Sequence, residues 1–231
     1  MPFTSKFWLQ FSLANLFIVA LLGLLMRYKI GFAFPFLDQK HLQHAHSHFA
    51  FAGWITHTLM VLMILFLEKR IDDFTPQLTK KYSMLLIANL ICAYGMLVFF
   101  IIQGYGLISI VFSTSSIVVA AVFAYFYFND LKQISDDDLS KNWFKAALFF
   151  NVFSSLGTFA LAYMMVTKNI HQNEYLASIY YYLHFQYNGW FFFTCMGLFY
   201  VILPTKIIAT NKLKRIFWLF ALASVPAYFL S

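Results

Sequence analysis

Residues 7–26 run for 20 positions without a charged side chain and are followed at once by Arg27 and Lys29. A helix rises 1.5 Å per residue, so about 20 apolar residues cross the hydrocarbon core of a bilayer. That core holds no water, so each backbone amide must pair within its own segment, which makes the run a helix. No small-residue cleavage site follows, and the run reads as a retained span and not as a signal peptide. Comparable runs at 49–67, 82–102, 105–128, 146–166, 178–203 and 216–230 predict seven helices in all. The last run falls short of the roughly 20 residues that a span needs, which predicts either a tilted, frayed end or a longer relative. With 61% hydrophobic and 11% charged residues and a mean hydropathy of +0.71, the 231 residues lie outside the range of soluble domains. The predicted fold is all-α, a polytopic transmembrane helix bundle forming one domain over 1–231.

A net charge of +7 would suit a nucleic-acid partner, but in a membrane protein Lys and Arg must first be sorted by loop. Seven spans place Lys6, Lys69, Arg70, Lys80, Lys81, Lys132, Lys141, Lys145, Lys206, Lys212, Lys214 and Arg215 on one side. Arg27, Lys29, Lys40 and Lys168 fall on the other. Twelve against four predicts a cytoplasmic N-terminus, and the basic charge reports topology with no nucleic acid involved. The longest polar connection, 129–142, reads as a solvated cytoplasmic connector. Asn15, Asn89 and Asn151 lie inside spans, where interhelical hydrogen bonding is the expected role. No Asp, Glu, Lys or Arg occupies the middle of a span, which disfavours a carboxylate-relay pump. The ionisable chemistry inside the membrane is therefore histidine.

Five of the seven histidines fall between His41 and His57. Three imidazoles crowded into one short stretch, His44, His46 and His48, are costly at a membrane boundary without a ligand role or an aqueous pocket. At 100° per residue His41, His44 and His48 share one stripe, while His46, Gly53 and His57 share nearly the opposite one. His41 and His171, near water, are expected to be ordinary hydrogen-bonded residues. The stretch HFAFAGWITHTLM at 48–60 also matches HFQYNGWFFFTCM at 184–196 in His, Phe, Gly, Trp, Thr and Met, without a gap and at one constant offset. This reads as an internal repeat. Spans two and six both run from outside to inside, which puts His48 and His184 at one depth, suited to a common cofactor. A flat macrocycle such as haem needs a small residue beside its ligating helix, and Gly53 and Gly189 meet that need. Trp54 and Trp190 would pack against the ring or anchor at the membrane interface.

His46-Ser47-His48, with Gly53 following shortly after, resembles the second-helix haem motif of the haem-copper oxidase subunit I superfamily. The nearest resemblance is to its small divergent members of the NnrS type and to subunit I-like proteins carrying HAHxxxxGW. The resemblance implies arcs of four helices in which helices two, six and ten are equivalent, as the repeat between spans two and six also suggests. It implies a haem of b or a type on His46 or His48, and copper or iron at a metal position that takes His184, with His44, His46 and His48 as further candidate metal ligands. The chain has no CxxCH, so such a haem would be held non-covalently, and Cys92 and Cys195, both within spans, are not placed for a disulfide. Respiratory or nitrogen-oxide-related electron transfer, an oxidoreductase activity and a bacterial inner membrane are the implied setting. The pattern departs at helix six, where His184-Phe185-Gln186-Tyr187-Asn188 replaces His-Pro-Glu-Val-Tyr. Residues 216–230 lack the paired histidines of helix seven, and helix ten has no counterpart. This implies a chain shortened relative to longer members, completed by lipid and by a second subunit or a second copy.

Three other readings stay open. His44-x-x-x-His48 copies one box of a di-iron membrane hydroxylase, although such enzymes use about eight histidines in three boxes. A non-catalytic protein could bind copper or zinc through the cluster. A bis-His cytochrome of the cytochrome b kind would use the spacing of 13 that separates His44 from His57 and His171 from His184.

Overall fold

The structure, a computed structural model, describes residues 5–169, 171–203 and 210–230. The described residues are almost wholly helical. In chain order the helices are α1 (Ser5–Gly31), α2 (Gln39–His48), a π-helical segment π1 (Phe49–Thr56), α3 (His57–Arg70), α4 (Pro76–Gln103) and α5 (Leu107–Asp130). They continue with α6 (Ser140–Thr167), α7 (Gln172–His184), a second π-helical segment π2 (Phe185–Phe191), α8 (Phe192–Ile202) and α9 (Thr210–Ala227). Contacts group the chain into two compact units, Met1–Phe123 and Ala124–Ser231.

Six helical stretches are long and apolar enough to cross a membrane: Ser5–Gly31, Gln39–Arg70, Pro76–Gln103, Leu107–Gln133, Ser140–Thr167 and Thr210–Leu230. The protein is an integral membrane protein by this measure. The expected sixth span, 178–203, is helical through the rest of α7, π2 and α8 but is not one of the six, and its polar residues Gln186 and Asn188 lower its hydropathy. The last span is longer than its apolar run, because the helix continues back through Arg215, Lys214 and Lys212 to Thr210 and reaches 21 residues. Of the twelve basic residues on the more basic side, Lys206 lies outside the described residues.

Local signals set the helix ends. Asp38 caps α2 by accepting a hydrogen bond from the His41 amide at 2.9 Å, and this bond holds its carboxyl below the usual carboxylate range. The preceding turn is tied by the Lys29 ammonium, which donates to the carbonyls of Phe34 and Leu37. Thr75 caps α4 with Pro76 in its first turn, and Gly104 ends it with φ +58°, a left-handed conformation that glycine adopts without strain. The 129–142 connection is more ordered than a solvated linker. Leu131 and Ile134 are buried, and the Lys141 ammonium, 4% exposed, donates to the Ile134 carbonyl and to Asp136 at 2.6 Å each.

The helix layout repeats. The offset that carries His48 onto His184 carries α1 onto 141–167, against Ser140–Thr167 for α6, and π1 onto 185–192, against Phe185–Phe191 for π2. The two widened turns thus stand at the offset read from the sequence. In a π-helical turn the hydrogen bonds reach five residues back instead of four, which accommodates an extra residue and is frequent at functional sites.

Candidate functional site

The histidine-rich end of α2 presents the two faces that helical spacing requires. Toward the end of α4, His48 stacks on Phe100 with ring centroids 4.3 Å apart, and its Nε2 lies 3.1 Å from the Tyr105 hydroxyl. His44 meets the same Tyr105 ring edge-on at 4.5 Å. One turn earlier, His41 Nδ1 lies 3.3 Å from the Ile101 carbonyl, and its ring fills the space a side chain at Gly104 would need.

The opposite face meets α1. His46 lies against Gly23, where an added methyl would stand 3.4 Å from its Cε1. Its Nδ1 is buried and has no hydrogen-bond partner. Further along, His57 is 0% exposed, its ring 5.9 Å from that of Trp8, and neither of its ring nitrogens has a partner. Each unpaired buried polar atom costs about 1–3 kcal/mol. Unit 1 therefore spends its least satisfied polar atoms on the α1-facing imidazoles.

Between these two histidines, the helix is tied to both neighbours by amides. Asn15 of α1 donates to the Gly53 carbonyl and accepts from the Tyr94 hydroxyl of α4 at 2.7 Å. Asn89 of α4 donates to the Ala52 carbonyl at 3.0 Å. Both carbonyls belong to π1, where the widened ladder makes backbone groups available to side chains. Asn15 and Asn89 thus have the interhelical role expected of them. Their carbonyl acceptors were not foreseeable, because no sequence signal marks a π-helical turn.

The glycines of the motif serve packing within each unit. The Phe49 ring occupies the space beside Gly53, where an added Cβ would come within 2.7 Å of it, and Trp54 packs on the cluster of Val19, Phe49 and Ala93. At Gly189 an added Cβ would stand 2.5 Å from Phe150 Cβ, and Trp190 is fully buried. The shared threonines act alike in the two units: Thr58 donates to the Trp54 carbonyl at 2.6 Å, and Thr194 to the Trp190 carbonyl at 2.7 Å.

In unit 2, His184 is 8% exposed and has both ring nitrogens engaged. Nε2 lies 2.8 Å from the Ser224 carbonyl, in the last turn of α9, and Nδ1 lies 3.3 Å from the Asn188 amide. Nε2 faces a carbonyl and so donates, and Nδ1 accepts from the amide, so both ring nitrogens are engaged within unit 2. The Gln186 amide donates to Asn151 at 3.1 Å and to Ser154 at 2.7 Å. His171 begins α7 without a side-chain cap.

The structure thus brings His44 and His48 together at Tyr105 and sets His46 apart from them. Among the described residues, no three or more His, Cys, Asp or Glu side chains are grouped to hold a metal ion. His44, His46 and His48, close in sequence, do not converge on one point, because two residues along a helix turn a side chain by about 200°. Phe100 and Tyr105, which no sequence motif marks, carry the contacts of the outer face. No family model, curated protein or solved structure matches this chain.

Proposed function

We propose that the chain is a haem-binding integral membrane protein related in design to oxidase subunit I, with His46 as the residue that would hold the iron. The observation that carries this reading is the His46 ring, whose Nδ1 is buried without a partner on the α1 face. His48 and His44 are instead committed to Phe100 and Tyr105. A haem iron brings four ring nitrogens of its own and asks the protein for one or two further groups, which suits the lone unpartnered imidazole at the end of α2. A metal held by protein alone needs three or more donors, and the described residues group none. Bound haem would supply one-electron chemistry; the chain's own residues position the imidazole and keep that face away from water. The Phe49 ring already fills the side of Gly53, and the His46 ring itself faces Gly23.

The reading extends to seven spans with a cytoplasmic N-terminus, supported by the charge bias, and to four-helix arcs, supported by the repeat. The setting is electron transfer in a respiratory or nitrogen-oxide-related system of a bacterial inner membrane, with the sequence motif as its support.

The test is a visible spectrum of the purified full chain supplied with haem b, oxidised and then reduced. A Soret band that His46→Ala abolishes and His48→Ala only shifts is the expected result. Absence of the band from the unaltered protein, or its survival in His46→Ala, would overturn the assignment. Metal uptake without a Soret band would favour a copper- or zinc-binding protein instead.

A further inference from the structure

We propose that Asn15 and Asn89 are the positioning residues of this site: by holding the carbonyls of Gly53 and Ala52 they keep π1 wide, and the wide turn sets which way the preceding histidines face. The identity of the haem ligand rests on the reading above; the positioning itself does not.

The argument begins with the backbone. A helix in a membrane normally satisfies its amides internally, and a turn that departs from the α pattern survives where neighbours re-satisfy the groups it releases. Here the neighbours are identified. Asn15 reaches Gly53 from α1, Asn89 reaches Ala52 from α4, and the Tyr94 hydroxyl fixes the Asn15 amide by donating to its oxygen. Asn15 is 0% exposed and Asn89 1%, so both amides work in a water-poor interface where an alternative partner is scarce.

The consequence follows from helical geometry. If π1 closed to α-helical pitch with its residues unchanged, α2 would slip by one residue against α1 and α4, a rotation of about 100°. His46 would leave Gly23, and His48 would leave Phe100. The two asparagines touch no histidine in the contacts described, yet they hold the register on which all the His41–His48 contacts depend.

The experiment uses the full chain in a Cys92→Ala, Cys195→Ala background. In the first arm, without haem, Gly23→Cys is paired in turn with Ala45→Cys, His46→Cys and Ser47→Cys, and treated with a short thiol cross-linker. The 23–46 pair should react fastest. Adding Asn89→Leu or Asn15→Leu should move the preference to position 45 or 47, and Asn89→Gln, which keeps an amide, should restore it in part. In the second arm, with haem b and native histidines, the same Leu substitutions should weaken haem binding about 10-fold and shift the reduced alpha band. Where a Leu variant does not elute as a single species, Tyr94→Phe removes only the brace on Asn15 and should shift the cross-linking preference less, in the same direction. An unchanged preference in all of these variants would overturn the positioning role, whatever the spectra show. A shifted preference in a protein that never binds haem would uphold the positioning role and overturn the haem reading alone.

Discussion

The two widened turns share a shape and differ in what they serve. Each begins immediately after a histidine, each contains Gly-Trp, and each is followed by a threonine that donates to the tryptophan carbonyl. In unit 1 the surrounding amides reach the turn's own backbone, from Asn15 and Asn89. In unit 2 the turn contributes a side chain, Gln186, to Asn151 and Ser154 on α6. The histidines diverge in parallel. His184 is satisfied on both nitrogens, whereas unit 1 keeps His46 and His57 with buried, unpartnered nitrogens. At the offset of the repeat, unit 2 has Tyr182 and Phe193 in those two places. Among the described residues, the repeated backbone has thus kept buried, unpartnered imidazoles in one copy only, and that copy is where function is most economically sought.

The sharpest break of this comparison lies at the two glycines. Gly189→Ala would drive a methyl into Phe150 Cβ, which is fixed to its own backbone, and should cost about 1–3 kcal/mol. Gly53→Ala would meet Phe49 ring atoms, which stand farther from their own backbone than Phe150 Cβ does, and should cost less. Thermal unfolding in detergent, followed by tryptophan fluorescence, gives the order; a larger loss at Gly53 would reverse the assignment of which turn is packed more rigidly. A smaller effect is expected at the shared threonines. Thr58→Val and Thr194→Val each remove one hydroxyl bond of nearly the same length to the carbonyl four residues back, and should lower stability equally, by about 0.5 kcal/mol. Unequal losses would show that the turns are held differently even where they look alike.

The smallest expected difference is at the helix starts. The Asp38 carboxylate caps α2, while α7 starts at His171 without such a cap. Because the folded-state pKa of Asp38 lies below its unfolded value, its contribution is present above about pH 4 and is lost as pH falls through the folded pKa. Hydrogen exchange of the His41 amide should therefore speed up in acid beyond the intrinsic trend, whereas amides at the start of α7 should follow that trend. Matching behaviour at the two ends would remove the cap from the account.

The parts of the fold governed by hydropathy and period were legible from residues alone. The apolar runs locate most helices, and the two stripes of α2 follow from a rotation of about 100° per residue. Two boundaries escaped. Lys212, Lys214 and Arg215 belong to α9, because long basic side chains let a helix extend past the hydrocarbon edge. The α7–α8 stretch reads as a span by its Phe content, but its Gln and Asn residues leave it outside the six most apolar helices. Within the site, the spacing separated His46 from His44 and His48, yet close sequence neighbours still suggested one shared ligand set. Tyr105 was invisible because its place depends on the chain reversal at Gly104, and Gly53 looked like room for a ligand when the Phe49 ring was to fill it.

The coincidence of the two π-helical turns also bears on how the chain arose. An extra residue in a helix is ordinarily a local accident, and two such accidents falling independently at the same distance from a histidine would require two events. One insertion in an ancestral half, copied when that half was doubled, requires one. On this account the widened turn would be older than the duplication, and Asn15 and Asn151 stand at the same offset as the two histidines, each in contact with its own widened turn.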